Sequence, residues 1–218
     1  MGSERRIGLT GDVGSGKSSV RRWLEARGAG SLDLDRVARA LLEQAPQRER
    51  VRQAFGDGVL DADGHIDRAA LARRVFAEPR LLQLLEAIVH PMVEREVEAW
   101  LAAQASQLAV IEGIKLVETG MHPRFTALWL VTCAPDERRR RLLERGWDEA
   151  EVARRMAAAT AFAPRLAAAT AVIDNSGAWS ATERQLERAL ARFLQRPPSL
   201  PEAEWTARRP DSAPTMLS

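Results

Sequence analysis

Short apolar runs alternate along this chain with longer stretches of helical periodicity. The first, Ile7 to Thr10, feeds a glycine-rich turn; beyond it Val20, Trp23 and Leu24 recur at helical spacing and predict a helix over Ser18 to Arg27, stopped by Gly28 and Gly30. Ser31-Leu32-Asp33-Leu34-Asp35 then alternates strictly, which puts the leucines on one face of a strand and both aspartates on the other. Leu108 to Glu112 and Phe125 to Cys133 are apolar without alternation, the mark of parallel strands covered on both faces, and Val172 to Asp174 reads as a last short strand.

Between the second and third of these strands, Val37 to Leu101 reads as helices. Loops interrupt them around Phe55 to Gly58 and Asp61 to Gly64, and a further break is expected at His90-Pro91, because proline disfavours helix at the residue before it. Strands separated by helices predict an α/β fold, a parallel sheet of about five strands with helices on both sides. After Gln195 the chain turns to Pro197, Pro198, Pro201, Pro210 and Pro214 among small and charged residues, which predicts a flexible tail over 196–218 with no part in chemistry.

At 218 residues the chain suits one catalytic domain, and 45% hydrophobic with 28% charged residues excludes general disorder. The net charge is only +2, with acids and bases interleaved along the helices and no reader motif, so neither nucleic acid nor membrane is expected as a partner. Arginine is used almost to the exclusion of lysine, which suits bidentate grip on phosphates, although a GC-rich genome gives the same bias; Lys17 and Lys115 alone escape it. The single Cys133 excludes an internal disulfide and is expected to be a small buried residue. With no apolar run near the ~18 residues that span a bilayer and no signal-peptide pattern at the start, a cytoplasmic enzyme is the expectation. The histidines show no metal-ligand spacing. The oligomeric state is open and a monomer is compatible with the sequence.

The chemistry begins at Gly11-Asp12-Val13-Gly14-Ser15-Gly16-Lys17-Ser18, followed by Ser19, which fits the G-x-x-x-x-G-K-[ST] phosphate loop and lies between a predicted strand and a predicted helix, as that motif requires. Glycines let the backbone curl with its N–H groups inward, the helix N-terminus adds partial positive charge, Lys17 reaches the β- and γ-phosphates and Ser18 offers a hydroxyl to Mg²⁺. The loop alone leaves ATPases, GTPases and small-molecule kinases open.

Further motifs narrow the choice. Ile7-Gly8-Leu9-Thr10-Gly11 leading into the loop, Asp33-Leu34-Asp35-Arg36-Val37-Ala38-Arg39, Phe55-Gly56, Gly64 with Asp67-Arg68, Val75-Phe76, and Leu85 to Pro91 follow in an order and spacing that resemble the dephospho-coenzyme A kinase family. Arg141-Leu142 with Arg145, and Ile173-Asp174-Asn175-Ser176-Gly177, are similar to that family's lid and closing strand-turn, so the likeness covers about residues 5–195. It departs at Glu112-Gly113-Ile114-Lys115-Leu116-Val117-Glu118, where the family has D-x-P-L-L-x-E. It departs also at Arg138, where Gln is common, at Gly146, where Asp is common, and at Ala159, where Gln often stands.

The resemblance implies a three-layer P-loop kinase fold in one domain over 1–195: a core of 1–35, 105–135 and 169–195, a helical acceptor-binding insert over 36–104 and a small helical lid over 136–168. It implies ATP and dephospho-coenzyme A as substrates, Mg²⁺ as cofactor, and phosphoryl transfer to the ribose 3′-hydroxyl, the last step of coenzyme A synthesis. Asp33 is then placed to orient that hydroxyl and take its proton, with helix capping as the alternative for Asp33 or Asp35. Glu112 would organise waters around Mg²⁺, or merely cap a turn. Arg138, Arg141 and Arg145 share a helix face that could close over the phosphates, with Arg141 catalytic and Arg145 on the nucleotide. Arg39 and His90 are acceptor-side candidates, and Asn175 with Gly177 would form the turn against adenine. A kinase for another small acceptor and an ATP-binding regulator without transfer are the alternatives.

Overall fold

The computed structural model describes residues 5–157 and 161–195; the expected tail over 196–218 and Ala159 lie outside the described residues. Five strands, β1 (Arg5–Thr10), β2 (Gly30–Asp33), β3 (Leu108–Glu112), β4 (Ala127–Thr132) and β5 (Ala171–Asp174), form one sheet in the order β2-β3-β1-β4-β5 with every pairing parallel. Helix α1 (Lys17–Glu25) joins β1 to β2, and α2 (Leu34–Glu43), α3 (Ala45–Phe55), α4 (Arg68–Ala77) and α5 (Pro79–Ala103) fill the excursion from β2 to β3. Helices α6 (Pro135–Glu144), α7 (Glu149–Ala157) and α8 (Phe162–Ala168) lie between β4 and β5, and α9 (Trp179–Gln195) follows β5.

The pleat divides the core. Along β3, Val110 points to a cluster with Val20, Trp23 and Leu24 of α1 and Leu186 and Phe193 of α9, while Ala109 and Ile111 face Val93, Val97 and Leu101 of α5. Helices therefore cover both faces, which is why the strands read as unbroken apolar runs. Val51, Phe55, Val59, Ile66, Leu71 and Val75 form a third cluster, so the excursion carries packing of its own. Register places Glu112 beside both Leu9 and Asp33, and two acids thus meet at the carboxyl ends of the strands, where ligands of open α/β sheets bind.

Three expectations need correction. The strand expected to reach Asp35 ends at Asp33, whose side chain caps α2 by accepting from Arg36 N at 3.1 Å; local capping overrides the alternation, and Asp35 sits in the first helical turn. The break expected at His90-Pro91 is absent, and α5 runs unbroken through Pro91. A proline inside a helix costs about 3 kcal/mol, whereas burying Val93, Val97 and Leu101 of the same helix returns about 1.5–3 kcal/mol each. Finally β4 begins at Ala127, because Phe125 ends a 3-10 turn over His122–Arg124 and packs over Gly8.

Candidate active site

The loop between β1 and α1 curls as its glycines dictate, with positive φ at Gly11, Gly14 and Gly16. At Gly11 a side chain is excluded outright, since a Cβ would lie 2.2 Å from the carbonyl oxygen of Val131 in β4. Lys17, only 6% exposed, folds back along the loop and donates from Nζ to the carbonyls of Gly11 (2.9 Å) and Asp12 (3.0 Å). Burial holds its ammonium below the ordinary lysine range, and the charges of Glu112, Asp35 and Asp12 work against that fall. Ser15 Oγ is buried and has no hydrogen-bond partner among the described residues. The Ser19 hydroxyl accepts from Arg22 at 3.1 Å, and its backbone N–H donates to the Gly16 carbonyl at 3.0 Å.

Glu112 closes the acidic end of the site. Ser18 Oγ donates to its Oε1 at 3.2 Å and Arg21 Nε to its Oε2 at 2.8 Å, so the carboxylate is aimed at the start of α1. Asp33 stands beside it in register and keeps one oxygen outside the cap bond to Arg36. Asp35, which turns into the cleft, has its carboxyl pushed above the usual range by desolvation, with Lys17 pulling it down and Asp33 pushing it up.

The arginine face of α6 does not act as one stripe. Arg138 is buried and points to the loop, donating from Nη1 to Asp12 Oδ2 at 2.9 Å and from Nε to the Val13 carbonyl at 3.0 Å. Arg141 donates to Glu137 and to the Asn175 carbonyl, both at 2.8 Å, while its Nη1 lies 3.4 Å from where a Cβ on Gly16 would be. Arg145 is exposed at the end of α6. The Asn175 side chain, in the turn expected to face adenine, is buried under the loop: Nδ2 donates to the Ser15 carbonyl at 2.9 Å and Oδ1 accepts from Thr182 at 3.0 Å. Gly177 beyond it is exposed with open space around it.

On the other side of the acids a cavity of about 220 Å³ opens between α2, α5 and the segment after β3, lined by Leu34, Asp35, His90, Gly113, Lys115 and Thr119 among others. His90 thus reaches the cleft from within α5, and Lys115 is held there by Glu86. Arg39 lines a neighbouring hollow of about 200 Å³ together with Arg68 and Arg155. Cys133 is half-buried, not fully buried, just past β4. One histidine does sit among acids: His65 lies with Asp61 and Asp63, all exposed, where Asp61 Oδ1 accepts from the backbone of both neighbours and shapes a turn.

A model of the dephospho-CoA kinase family matches residues 5–181, from the first strand into the start of α9. The chain belongs to the dephospho-CoA kinase family. Members it resembles include the dephospho-CoA kinase of Methylococcus capsulatus, 39% identical over 86% of this chain and 96% of that protein. That of Anaeromyxobacter dehalogenans is 41% identical over 86% and 91%. Among solved structures, a Thermus thermophilus protein is 36% identical with a TM-score of 0.75 over 86% of this chain and 97% of its own. Shikimate kinase from Acinetobacter baumannii, 13% identical with a TM-score of 0.52 over 87% and 93%, shares the fold alone.

Within this family member, two arginines near the site escaped the sequence reading. Arg165 of α8 is 1% exposed and donates from Nη2 to Asp12 Oδ1 at 2.8 Å, and Arg155 of α7 interacts electrostatically with Asp35 while its guanidinium lies 5.5 Å over the Trp147 ring. Both sit in short, Ala-rich helices whose spacing resembles an ordinary solvated face. Asp12, the partner of Arg165, falls at an unspecified place in the loop motif and so gives no signal of its own.

Proposed function

We propose that this chain transfers the γ-phosphoryl group of ATP to the ribose 3′-hydroxyl of dephospho-coenzyme A, giving coenzyme A and ADP, as a cytoplasmic enzyme. The observation that carries this reading is the meeting of Asp33 and Glu112 in register at the strand ends, with Lys17 of the phosphate loop under the charge of Glu112 on one side and a separate cavity on the other. Phosphoryl transfer passes through a loose transition state, so the chain's task is to align the acceptor and offset charge.

In this reading the loop amides and Lys17 hold the β- and γ-phosphates, with Arg141 beside the loop and Arg145 at the rim. The acceptor enters the cleft on the α2–α5 side, past His90, with Arg39 on an anionic part of it. The free oxygen of Asp33 orients the 3′-hydroxyl and accepts its proton as the new O–P bond forms and the bond to the β-bridging oxygen breaks, the electron pair leaving with ADP. The donors at the start of α1, the Ser18 hydroxyl and the Glu112 carboxylate, are all oxygen and suit a hard cation. Ser18 directly, and Glu112 through water, would hold Mg²⁺, which neutralises phosphate charge when bound. Residues 136–168 serve as the lid and 36–104 as the acceptor-binding insert.

The test is turnover of the purified protein with ATP and Mg²⁺ on dephospho-coenzyme A, against shikimate, gluconate and nucleoside monophosphates, with products identified by mass. Selective formation of coenzyme A is the expected result. Transfer to a different acceptor, or none to dephospho-coenzyme A, overturns the reading.

A further inference from the structure

The carboxylate of Asp12 is gripped from two helices at once. Arg138 of α6 donates to Oδ2 at 2.9 Å and Arg165 of α8 to Oδ1 at 2.8 Å, with side-chain exposures of 9% and 1% against 20% for Asp12. Arg138 also ties down the next carbonyl, Val13 O, at 3.0 Å, and the carbonyl of Asp12 itself receives Lys17 Nζ at 3.0 Å. One residue of the loop therefore joins both helices to the backbone that parks Lys17. Two guanidinium groups in so dry a place repel one another unless an anion lies between them, and Asp12 supplies one oxygen to each. Glu118 stands 3.8 Å from Arg165 as a more distant second anion. One turn along α6, Arg141 donates to the carbonyl of Asn175, whose amide holds Ser15 O, so α6 reaches both limbs of the loop.

We propose that Asp12 is a positioning residue for ATP: it locks α6 and α8 onto the phosphate loop, so that the curvature of the loop and the place of Arg141 are set before nucleotide arrives. The inference rests on the reading of this loop as the ATP site, and it deepens that reading. It also makes a prediction of definite sign. Counted as charge alone, Asp12 opposes an anionic ligand, and its neutralisation would tighten ATP binding. Counted as a clamp, its loss releases the loop and weakens binding.

Calorimetric titration with ATP and Mg²⁺ decides between them. Asp12→Asn is expected to raise the Kd for ATP at least about ten-fold, while the KM for dephospho-coenzyme A at saturating ATP stays within about two-fold, a split that general destabilisation would not give. Arg138→Gln, which leaves Arg165 on Asp12, is expected to weaken ATP less. The double variant Asp12→Asn with Arg138→Gln, which restores both the local charge balance and an amide pair, is expected to recover ATP affinity to within about three-fold of the parent. Arg139→Gln, at the exposed partner of Glu149 on the far side of α6, is the control and should leave ATP binding unchanged. Unchanged or tighter ATP binding in Asp12→Asn overturns the proposal, as does equal loss for both substrates. Should Asp12→Asn fail to fold, Asp12→Ala, which removes the same charge and both bonds to the arginines, carries the same comparison, and unchanged or tighter ATP binding there overturns the proposal. A parent protein that binds ATP but forms no coenzyme A removes the proposed reaction and leaves the clamp to be judged by the ATP titrations.

Discussion

Gly16 gives a prediction whose size can be worked from distances. It precedes α1 at φ 96°, and a Cβ there would lie 2.0 Å from Nδ2 of Asn175. Gly16→Ala therefore meets two costs. The left-handed backbone costs about 1–2 kcal/mol for a residue with a Cβ. Asn175 must also move, although it is buried between Ser15 O and Thr182 Oγ1, and giving up those two hydrogen bonds costs about 0.5–1.5 kcal/mol each. The sum is about 2–5 kcal/mol, or a fall in Tm of roughly 4–20 °C at about 2–4 °C per kcal/mol for a chain of this size. Gly28→Ala is the control, because its φ is 88° but nothing lies within 4 Å of the added Cβ, so only the strain, about 1–2 kcal/mol, applies. Asn175→Ala removes the clashing amide together with its bonds. In the double variant the clash has gone and the same two bonds are lost only once, so the second substitution should add less than about 1 kcal/mol to Gly16→Ala, a coupling that a double-mutant cycle reads directly. Thermal unfolding by circular dichroism is the assay. Strictly additive losses, or a Gly16→Ala Tm equal to that of Gly28→Ala, would refute the claim that Asn175 braces the loop from beneath.

Asp33→Asn should keep the α2 cap, since an asparagine oxygen can accept from Arg36 N, and so leave Tm within a few degrees, while lowering kcat by roughly 10²- to 10⁴-fold with ATP affinity intact; near-normal kcat would remove Asp33 from the transfer step. Glu137 is held down to about 2 by the hydrogen bond from Arg140, with Arg141 adding to it. A carboxyl depressed in the folded state contributes stability that is present above its ordinary value of 4.5 and fades as pH falls towards about 2, so the brace on Arg141 should persist through mild acid. A carbon-detected NMR titration of Glu137 with a midpoint near 4.5 would contradict this.

The legible parts of the molecule were those whose chemistry is local. β1, the glycine loop and α1 follow from a motif in which neighbouring residues act together, and the buried strands follow from runs too apolar to face water. Positions decided by competition between local and distant forces were harder. Asp33 closes a strand and caps a helix at once, and its bond to Arg36 stops the alternation before Asp35 can extend it. Pro91 argues for a break that the burial of its neighbours on the sheet overrules. Arg165 was least accessible, because its meaning lies in Asp12, 153 residues earlier, and nothing in the surrounding helix distinguishes a buried guanidinium from a solvated one.

The unbroken α5 has a mechanical consequence. Its first half packs Leu85 and Ile88 onto the cluster of the excursion, and its second half packs Val93, Val97 and Leu101 onto the sheet, so one rod of about 37 Å, at 1.5 Å per residue, bridges two separately packed bodies. The ladder of that rod lacks one rung, at Pro91, which has no N–H to give. Bending there sacrifices no bond, whereas bending a turn away would, and the compliant turn sits next to His90 at the wall of the cleft.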